Sequence, residues 1–218
     1  MFIGHYGVGL GLKKAAPVSL GLLFLACQFL DLLWPTFLLL NIEHVSINNN
    51  ASTPVPLTFT DYPYSHSLVM AIVWSVLFGG VYWLIKRNKK YAFILGICVL
   101  SHWVLDLIVH LPDLPLYPSA SSPKVGLQLW TKPIASTILE SFIFIVGLIL
   151  YLRSTKAKNK TGSIVFWILI VLLILAHVAN LLSPPPTSVT VLAWGAQFMW
   201  IFVILAFWAD NNRTTRLS

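Results

Sequence analysis

Long uninterrupted runs of apolar residues dominate this chain, and charged residues stand mainly between them. Six runs approach the roughly 20 residues that a helix needs to cross a bilayer. They fall at about residues 20–40, 67–85, 92–111, 134–152, 164–182 and 189–208. Polar and apolar positions do not alternate within them as in the strands of a membrane barrel. The pattern therefore predicts an all-α integral membrane protein, a bundle of about six transmembrane helices in a single membrane domain over residues 1–218.

A further apolar run, at residues 2–12, is too short to span a bilayer. Lys13 and Lys14 follow this run, whereas a cleaved signal peptide carries its basic residues in front. We therefore expect a short N-terminal re-entrant or interfacial helix that remains in the mature protein. The polar segments 41–61 and 112–133 are expected to be loops, the first of them a flexible lid or linker.

Composition supports this membrane assignment and gives the bundle an orientation. Hydrophobic residues make up 57% of the 218 positions and charged residues only 10%, against about 25% charged in ordinary globular domains. The basic residues cluster around 13–14, 86–90, 153–160 and 213–216, which six spans place on one side. The positive-inside rule then predicts a multi-pass protein of the cell (inner) membrane with cytoplasmic N- and C-termini. The net charge of +7 follows from this topology, so the expected partner is the lipid bilayer and no nucleic acid.

Ionisable residues inside the predicted spans are the candidates for chemistry, because burying each one in lipid costs about 2.5–3.5 kcal/mol. His102 stands four residues before Asp106 on the same predicted helix face, so the two side chains can hold one ion. A helix rise of about 1.5 Å per residue places all the candidates between the middle of the membrane and its outer surface. They are Asp31, His66, His102, Asp106, His110 and Glu140, with His5 within reach from a re-entrant helix.

Four motifs occur in a defined order within the first 120 residues. They read GHYGVGLG from Gly4, FLDLLWP around Asp31, YSHSL around His66 and SHWVLDL from Ser101. Their order resembles that of the bacterial membrane-bound metal-dependent hydrolase-like proteins, the YdjM-like family. More loosely, it is similar to the ligand order of zinc-dependent phospholipase C. Residues 1–120 are thus the motif-bearing part, and residues 121–218 form a helical C-terminal part without a matched motif.

The resemblance implies a set of metal ligands. Carried over motif by motif, the ligands are His5, Asp31, His66, His102 and Asp106. Two departures change the donor set: Leu33 and Trp34 replace an acidic residue and a histidine, and Asp61 stands where the family has a histidine. His110, one turn beyond Asp106, adds a further candidate ligand. The implied cofactor is a divalent metal, Zn, or Mn or Mg because carboxylates are numerous.

The same resemblance predicts a phospholipase-like, metal-dependent hydrolase that acts on a lipid or lipid-linked phosphoester at the outer membrane interface. Asp61 or Glu140 would be its catalytic base or would support the ligands. Intramembrane acidic residues and histidines are equally typical of an ion or proton transporter or channel. A third alternative is a non-enzymatic membrane assembly protein, in which buried polar groups join helices. Substitution of His102 and Asp106 separates the three alternatives. An enzyme would lose turnover, a transporter would lose ion flux, and an assembly protein would lose assembly.

Overall fold

The fold is a bundle of α-helices with three short pairs of β-strands at its ends. The computed structural model describes residues 1–49, 53 and 55–216. The helices in this part are α1 Ile3–Leu12, α2 Leu20–Cys27, α3 Phe29–Leu39, α4 Pro63–His66, α5 Leu68–Lys86, α6 Lys89–Val109, α7 Pro133–Ser154, α8 Lys160–Leu182, α9 Val189–Gln197 and α10 Met199–Asn211. The strands are β1 His44–Ile47, β2 Leu57–Asp61, β3 Leu114–Pro115, β4 Lys124–Val125, β5 Thr155–Ala157 and β6 Arg213–Thr215, paired antiparallel in that order.

Within the described residues, five helical segments are long and apolar enough to cross a membrane. They are α5, α6, α7, α8 and the nearly continuous pair formed by α9 and α10. The pair α2 and α3 gives a sixth when it is counted as one bent span. The predicted all-α membrane bundle of about six spans is therefore confirmed.

The first predicted span, at residues 20–40, is not one continuous helix. It bends by 58° between Cys27, the last residue of α2, and Phe29, the first residue of α3. A helix end leaves its last carbonyl groups without partners inside the helix. Here the Cys27 carbonyl oxygen lies 2.8 Å from Nδ1 of His102 on α6. The break therefore supplies a main-chain acceptor to α6, which the apolar pattern of this run did not reveal.

The short N-terminal helix is also confirmed, and it lies inside the bundle against α7, α2 and α6. Gly7 of α1 and Gly147 of α7 allow the two backbones to touch, since a Cβ on Gly147 would lie 2.0 Å from the Gly7 carbonyl oxygen. At the end of the helix, Lys13 forms a salt bridge of 2.7 Å with Asp210 of α10. This close crossing fixes the position of every side chain that α1 carries.

The basic segments gather at one end of the bundle. α2 runs in the same direction as α6, because Leu23 contacts Cys98 and Cys27 contacts His102. The starts of both helices therefore share an end, and the Lys13 salt bridge and the strands β5 and β6 lie there too. We call this the lysine-rich end, and the opposite end, which carries β1 and β2, the hairpin end.

The hairpin end is more regular than the sequence predicted. Segment 41–61, expected to be a loop, contains the antiparallel pair β1 and β2, in which His44 pairs with Asp61. Residues 50–52 and 54 of that segment lie outside the described residues. Segment 112–133 contains the two-residue strands β3 and β4 and a single 3₁₀ turn, Leu129–Thr131. These hairpins, together with α4, surround the place where the predicted ligands meet.

Candidate metal centre

Four of the predicted ligands converge near the hairpin end, from helices α3, α4 and α6. Nε2 of His66 lies 3.3 Å from an Asp31 carboxylate oxygen and 3.8 Å from an Asp106 oxygen. Nε2 of His102 lies 3.6 Å and 3.2 Å from the same two oxygens. The structure thus brings together two imidazoles and two carboxylates that are far apart in the sequence.

The tautomer of His102 follows from its neighbour on the other side of the ring. Its Nδ1 lies 2.8 Å from the Cys27 carbonyl oxygen, which can only accept a hydrogen bond. Nδ1 must therefore carry the proton, and in a neutral ring Nε2 presents a lone pair. Among the described residues, this buried Nε2 has no hydrogen-bond partner. It faces Asp31 and Asp106, which are acceptors when ionised.

His66 is oriented by a side-chain relay instead of a main-chain carbonyl. Ser65 Oγ lies 2.6 Å from a Glu43 carboxylate oxygen and 2.7 Å from Nδ1 of His66. With Glu43 ionised, the serine hydroxyl must donate to the carboxylate, so it accepts from His66 Nδ1–H. The lone pair of His66 Nε2 then faces Asp31. Trp103 Nε1 also donates to the His66 carbonyl oxygen at 2.8 Å and holds its backbone.

Glu43 itself is buried in the hairpin end and fully engaged. Its second carboxylate oxygen accepts hydrogen bonds from the backbone N–H groups of Tyr64, at 2.8 Å, and Ser65, at 2.7 Å. Burial raises the pKa of the Glu43 carboxyl above its ordinary value, and the hydrogen bonds from Ser65 oppose that shift. Its contacts tie the chain just before strand β1 to helix α4, so they set where His66 enters the cluster.

The cluster suits a cation because, with neutral imidazoles, the Nε2 lone pairs of His66 and His102 and the carboxylate oxygens of Asp31 and Asp106 all face one another. Ligands of a tetrahedral ion with bonds of about 2.0–2.2 Å lie about 3.3–3.6 Å apart. The four nitrogen-to-oxygen distances, at 3.2–3.8 Å, are close to that separation. A donor set of two imidazoles and two carboxylates is also one that zinc accepts.

His5 of α1 completes a second, overlapping group. Its Nε2 lies 3.2 Å from the other oxygen of Asp106, and its ring stacks on that of His102 with centroids 3.7 Å apart. His5, His102 and Asp106 together form a buried trio that can hold an ion. The amino nitrogen of Met1 contacts the same Asp106 oxygen. Asp106 therefore uses one oxygen toward His66 and His102 and the other toward α1.

His110 lies at the edge of the cluster. Its Nε2 is 3.9 Å from Asp106, and its Nδ1 is 2.8 Å from Asp113. Tyr62 donates a hydrogen bond of 3.0 Å to the same Asp113 oxygen. Burial, together with the neighbouring Asp113 carboxylate, raises the pKa of Tyr62 well above its usual value, so the phenol stays protonated. His110 is thus held in place by side chains outside the predicted ligand set.

A cavity of about 670 Å³ opens onto the cluster. Its wall includes Asp31, His66, Asp106 and His110. Glu140 of α7 lines the same cavity and is buried, and it accepts a hydrogen bond of 2.8 Å from the Phe2 backbone N–H. The Glu140 carboxylate therefore lies in the same cavity as the candidate ligands, where it can act as a general base.

The comparisons with known proteins give one match. The family described as YdjM inner membrane protein matches residues 63–184, more than half of the chain. The chain belongs to this family. The comparisons with curated proteins and with solved structures gave no match.

The YdjM match also changes where the family resemblance lies. The match overlaps the expected motif-bearing part, residues 1–120, at residues 63–120 and continues to residue 184. The matched part contains His66, His102, Asp106 and Glu140. Asp31 and His5 precede it, and it is the fold that brings them to the cluster.

Asp61, predicted as a catalytic residue, is not brought to this site. It lies at the end of β2 with 52% of its side chain exposed, and it faces His44 at 3.5 Å. It does not line the cavity. The motif comparison assigned Asp61 by its position five residues before His66, but the extended strand turns its side chain outward.

Sequence reasoning missed two groups that the structure places at the site. Glu43 and Ser65 orient His66, although neither stands in a predicted span. His177 of α8 also lines the cavity. A signal was available for Glu43, since it is one of only seven acidic residues in the chain. Its role depends on the hairpin, however, which the sequence pattern did not predict.

Proposed function

We propose that this YdjM-family protein is a metal-dependent hydrolase of a lipid or lipid-linked phosphoester. The observation that carries the proposal is the convergence of two imidazole lone pairs on two carboxylates in a buried cluster. Neutral histidines and ionised aspartates in this arrangement repel one another unless a cation lies between them. Such an arrangement is costly inside a membrane and supports a bound ion.

His66, His102, Asp31 and Asp106 would hold the ion, and His5 with Asp106 would contribute to a second. Two imidazoles at tetrahedral separation favour zinc over magnesium, which prefers six oxygen ligands. A divalent ion of this kind supplies a Lewis acid and activates water near neutral pH. Glu140 would take up the proton of the attacking water and pass it to the leaving group. Its hydrogen bond from Phe2 N–H keeps the carboxylate turned along the cavity wall.

The orientation of the site supports chemistry at the outer face of the membrane. The lysine-rich end carries the clusters of basic residues that the positive-inside rule assigns to the cytoplasm. The cluster and its cavity lie toward the opposite, hairpin end. On this orientation, strand β6 near the C-terminus is cytoplasmic and the substrate reaches the cavity from the outer leaflet. The predicted cytoplasmic N-terminus does not fit it, because Met1 lies at the cluster, where its amino nitrogen contacts Asp106.

The transporter alternative has less support in the packing below the cluster. Apolar side chains fill the bundle between the cluster and the lysine-rich end. Leu10, Leu23 and Leu95, from α1, α2 and α6, are each fully buried there. A through-path for ions would have to cross this layer, whereas an enzyme needs access from one side only.

The decisive experiment is elemental analysis of detergent-purified protein supplied with zinc during expression. We expect near-stoichiometric metal in the wild type and its loss in a folded His102→Ala/Asp106→Ala variant. The matched control is His44→Ala/Asp61→Ala, which removes the same residue types from the exposed pair and should retain metal. Hydrolysis of lipid phosphoesters is then assayed on the proteins that hold metal. Absence of metal from the wild type, after zinc and manganese supply, would refute the hydrolase proposal.

A further inference from the structure

The cavity extends beyond the cluster into a cleft between α8 and α9. α9 packs against α3 and β1, whereas α10, which continues it after a break at Phe198, packs against α2 and α8. α8 therefore packs closely against α10 but not against α9. The cavity wall here includes Ala176, Asn180 and Leu181 on one side and Leu192 and Gly195 on the other.

This cleft opens sideways toward the lipid. Leu181 is 38% exposed and Val191 54% exposed, although both line the cavity. His177 lies five residues before the end of α8 and Gly195 six residues after the start of α9. A rise of about 1.5 Å per residue puts both about 8–9 Å from the helix ends. In a helix that crosses the bilayer, that depth is where the hydrocarbon chains of lipids begin.

The polar side of the same cavity lies next to the cleft. His177 is buried, and its Nε2 has no hydrogen-bond partner among the described residues. Glu140 and the candidate ligands Asp31 and His66 also belong to the polar wall. One part of the cavity is thus an apolar cleft and the other a polar cluster. A cavity of this kind is complementary to a molecule with a polar head and an apolar tail.

We propose that the cleft between α8 and α9 holds one hydrocarbon chain of a membrane lipid whose phosphate head lies at the cluster. The assignment of the head rests on the proposed function, whereas the chain site rests on the cleft itself. The whole cavity, cleft and polar part together, has a volume of about 670 Å³, within the range of about 300–1,000 Å³ typical of small-molecule sites. The substrate enters sideways from the leaflet.

Gly195 provides a direct test, because a Cβ at this position meets nothing within 4 Å. The side chain of Gly195→Leu therefore starts from an open position on the cavity wall and is expected to occupy part of the cleft. Gly80→Leu is the matched control, since Gly80 also has open space around its Cβ but lies on α5, outside this cavity. The probe is tritiated dioleoyl phosphatidic acid, bound to the full chain in dodecyl maltoside and measured by scintillation proximity.

We expect Gly195→Leu to weaken binding of this lipid by about tenfold or more, with metal content and thermal stability equal to those of the Gly80→Leu control. If Gly195→Leu does not fold, Gly195→Cys is purified and then blocked with benzyl methanethiosulfonate. The two natural cysteines, Cys27 and Cys98, are buried. Binding that is unchanged by either block, or no binding by the wild type, overturns the chain site. Metal content is scored separately, so absence of metal refutes the hydrolase and leaves the lipid result readable.

Discussion

Replacing Glu43 by glutamine should reverse the relay that orients His66. One oxygen of Glu43 receives two backbone N–H groups, at 2.8 and 2.7 Å, and the other receives the Ser65 hydroxyl at 2.6 Å. In Glu43→Gln, the amide oxygen keeps the backbone donors, so the amide NH₂ faces Ser65 and donates to it. The hydroxyl then donates to His66 Nδ1. The ring proton moves to Nε2, where the lone pair of a metal ligand is required.

The expected loss of zinc affinity depends on which hydrogen-bonding group each substitution removes. Substitution of a residue that orients a metal ligand typically lowers metal affinity about 10- to 100-fold, or about 1.4–2.8 kcal/mol. Ser65→Ala only removes the acceptor of His66 Nδ1–H, so we expect it near the lower value. Glu43→Gln blocks the ligand atom itself and should lie near the upper value. Ser101→Ala is the control, because that hydroxyl stands beside His102 but donates to the Cys98 carbonyl oxygen at 2.7 Å.

The assay is competition for zinc between detergent-purified protein and a chelator of known affinity. The double variant Glu43→Gln/Ser65→Ala gives the sharper result, since Glu43 acts on His66 only through Ser65. In the serine-free background, Glu43→Gln should have little further effect on zinc affinity. An equal loss with and without Ser65 would refute the relay, and so would a Ser65→Ala affinity equal to that of Ser101→Ala.

Two further predictions concern stability. Gly147→Ala should lower the free energy of unfolding by about 1–3 kcal/mol and weaken zinc binding, because it would displace α1, which carries His5. Gly80→Ala, with open space at its Cβ, should melt at the wild-type temperature. Equal melting temperatures of the two variants would contradict this prediction. Burial raises the pKa of Glu43 above 4.5, so the folded state favours its protonated form. The stability this provides is present below the ordinary pKa and is lost as pH rises through the raised one. Denaturant titrations should therefore show the wild type losing stability relative to Glu43→Gln over that interval, and a difference independent of pH would contradict the assignment.

The sequence predicted the depth of the candidate site because helix geometry is regular. A constant rise per residue and a fixed bilayer thickness place His102, Asp106 and Glu140 at similar heights without knowledge of the packing. Spacing of four residues likewise puts His102 and Asp106 on one face. The same rise per residue predicted that His5 lies within reach of the cluster, provided that its short helix enters the bundle.

What the sequence did not predict depends on contacts between elements. The direction of Asp61 is set by the strand β2, and strand side chains alternate between faces, so one residue of register decides whether it points inward. Glu43 meets Ser65 only because the hairpin folds back over α4. The cleft beside Gly195 lies next to a break at Phe198, inside a run that is apolar except for Thr190 and Gln197. Hydrophobic periodicity carries no information on such breaks.

The break between α2 and α3 has a consequence for tolerance to mutation. His102 is oriented by the main-chain oxygen of residue 27, which every amino acid possesses. Substitutions at Cys27 that fit the space should therefore leave that imidazole correctly protonated. The orientation of His66, by contrast, is written in two side chains, Glu43 and Ser65. Natural variants that keep a working site should therefore retain the residues at positions 43 and 65, whereas position 27 should accept any residue that fits the space.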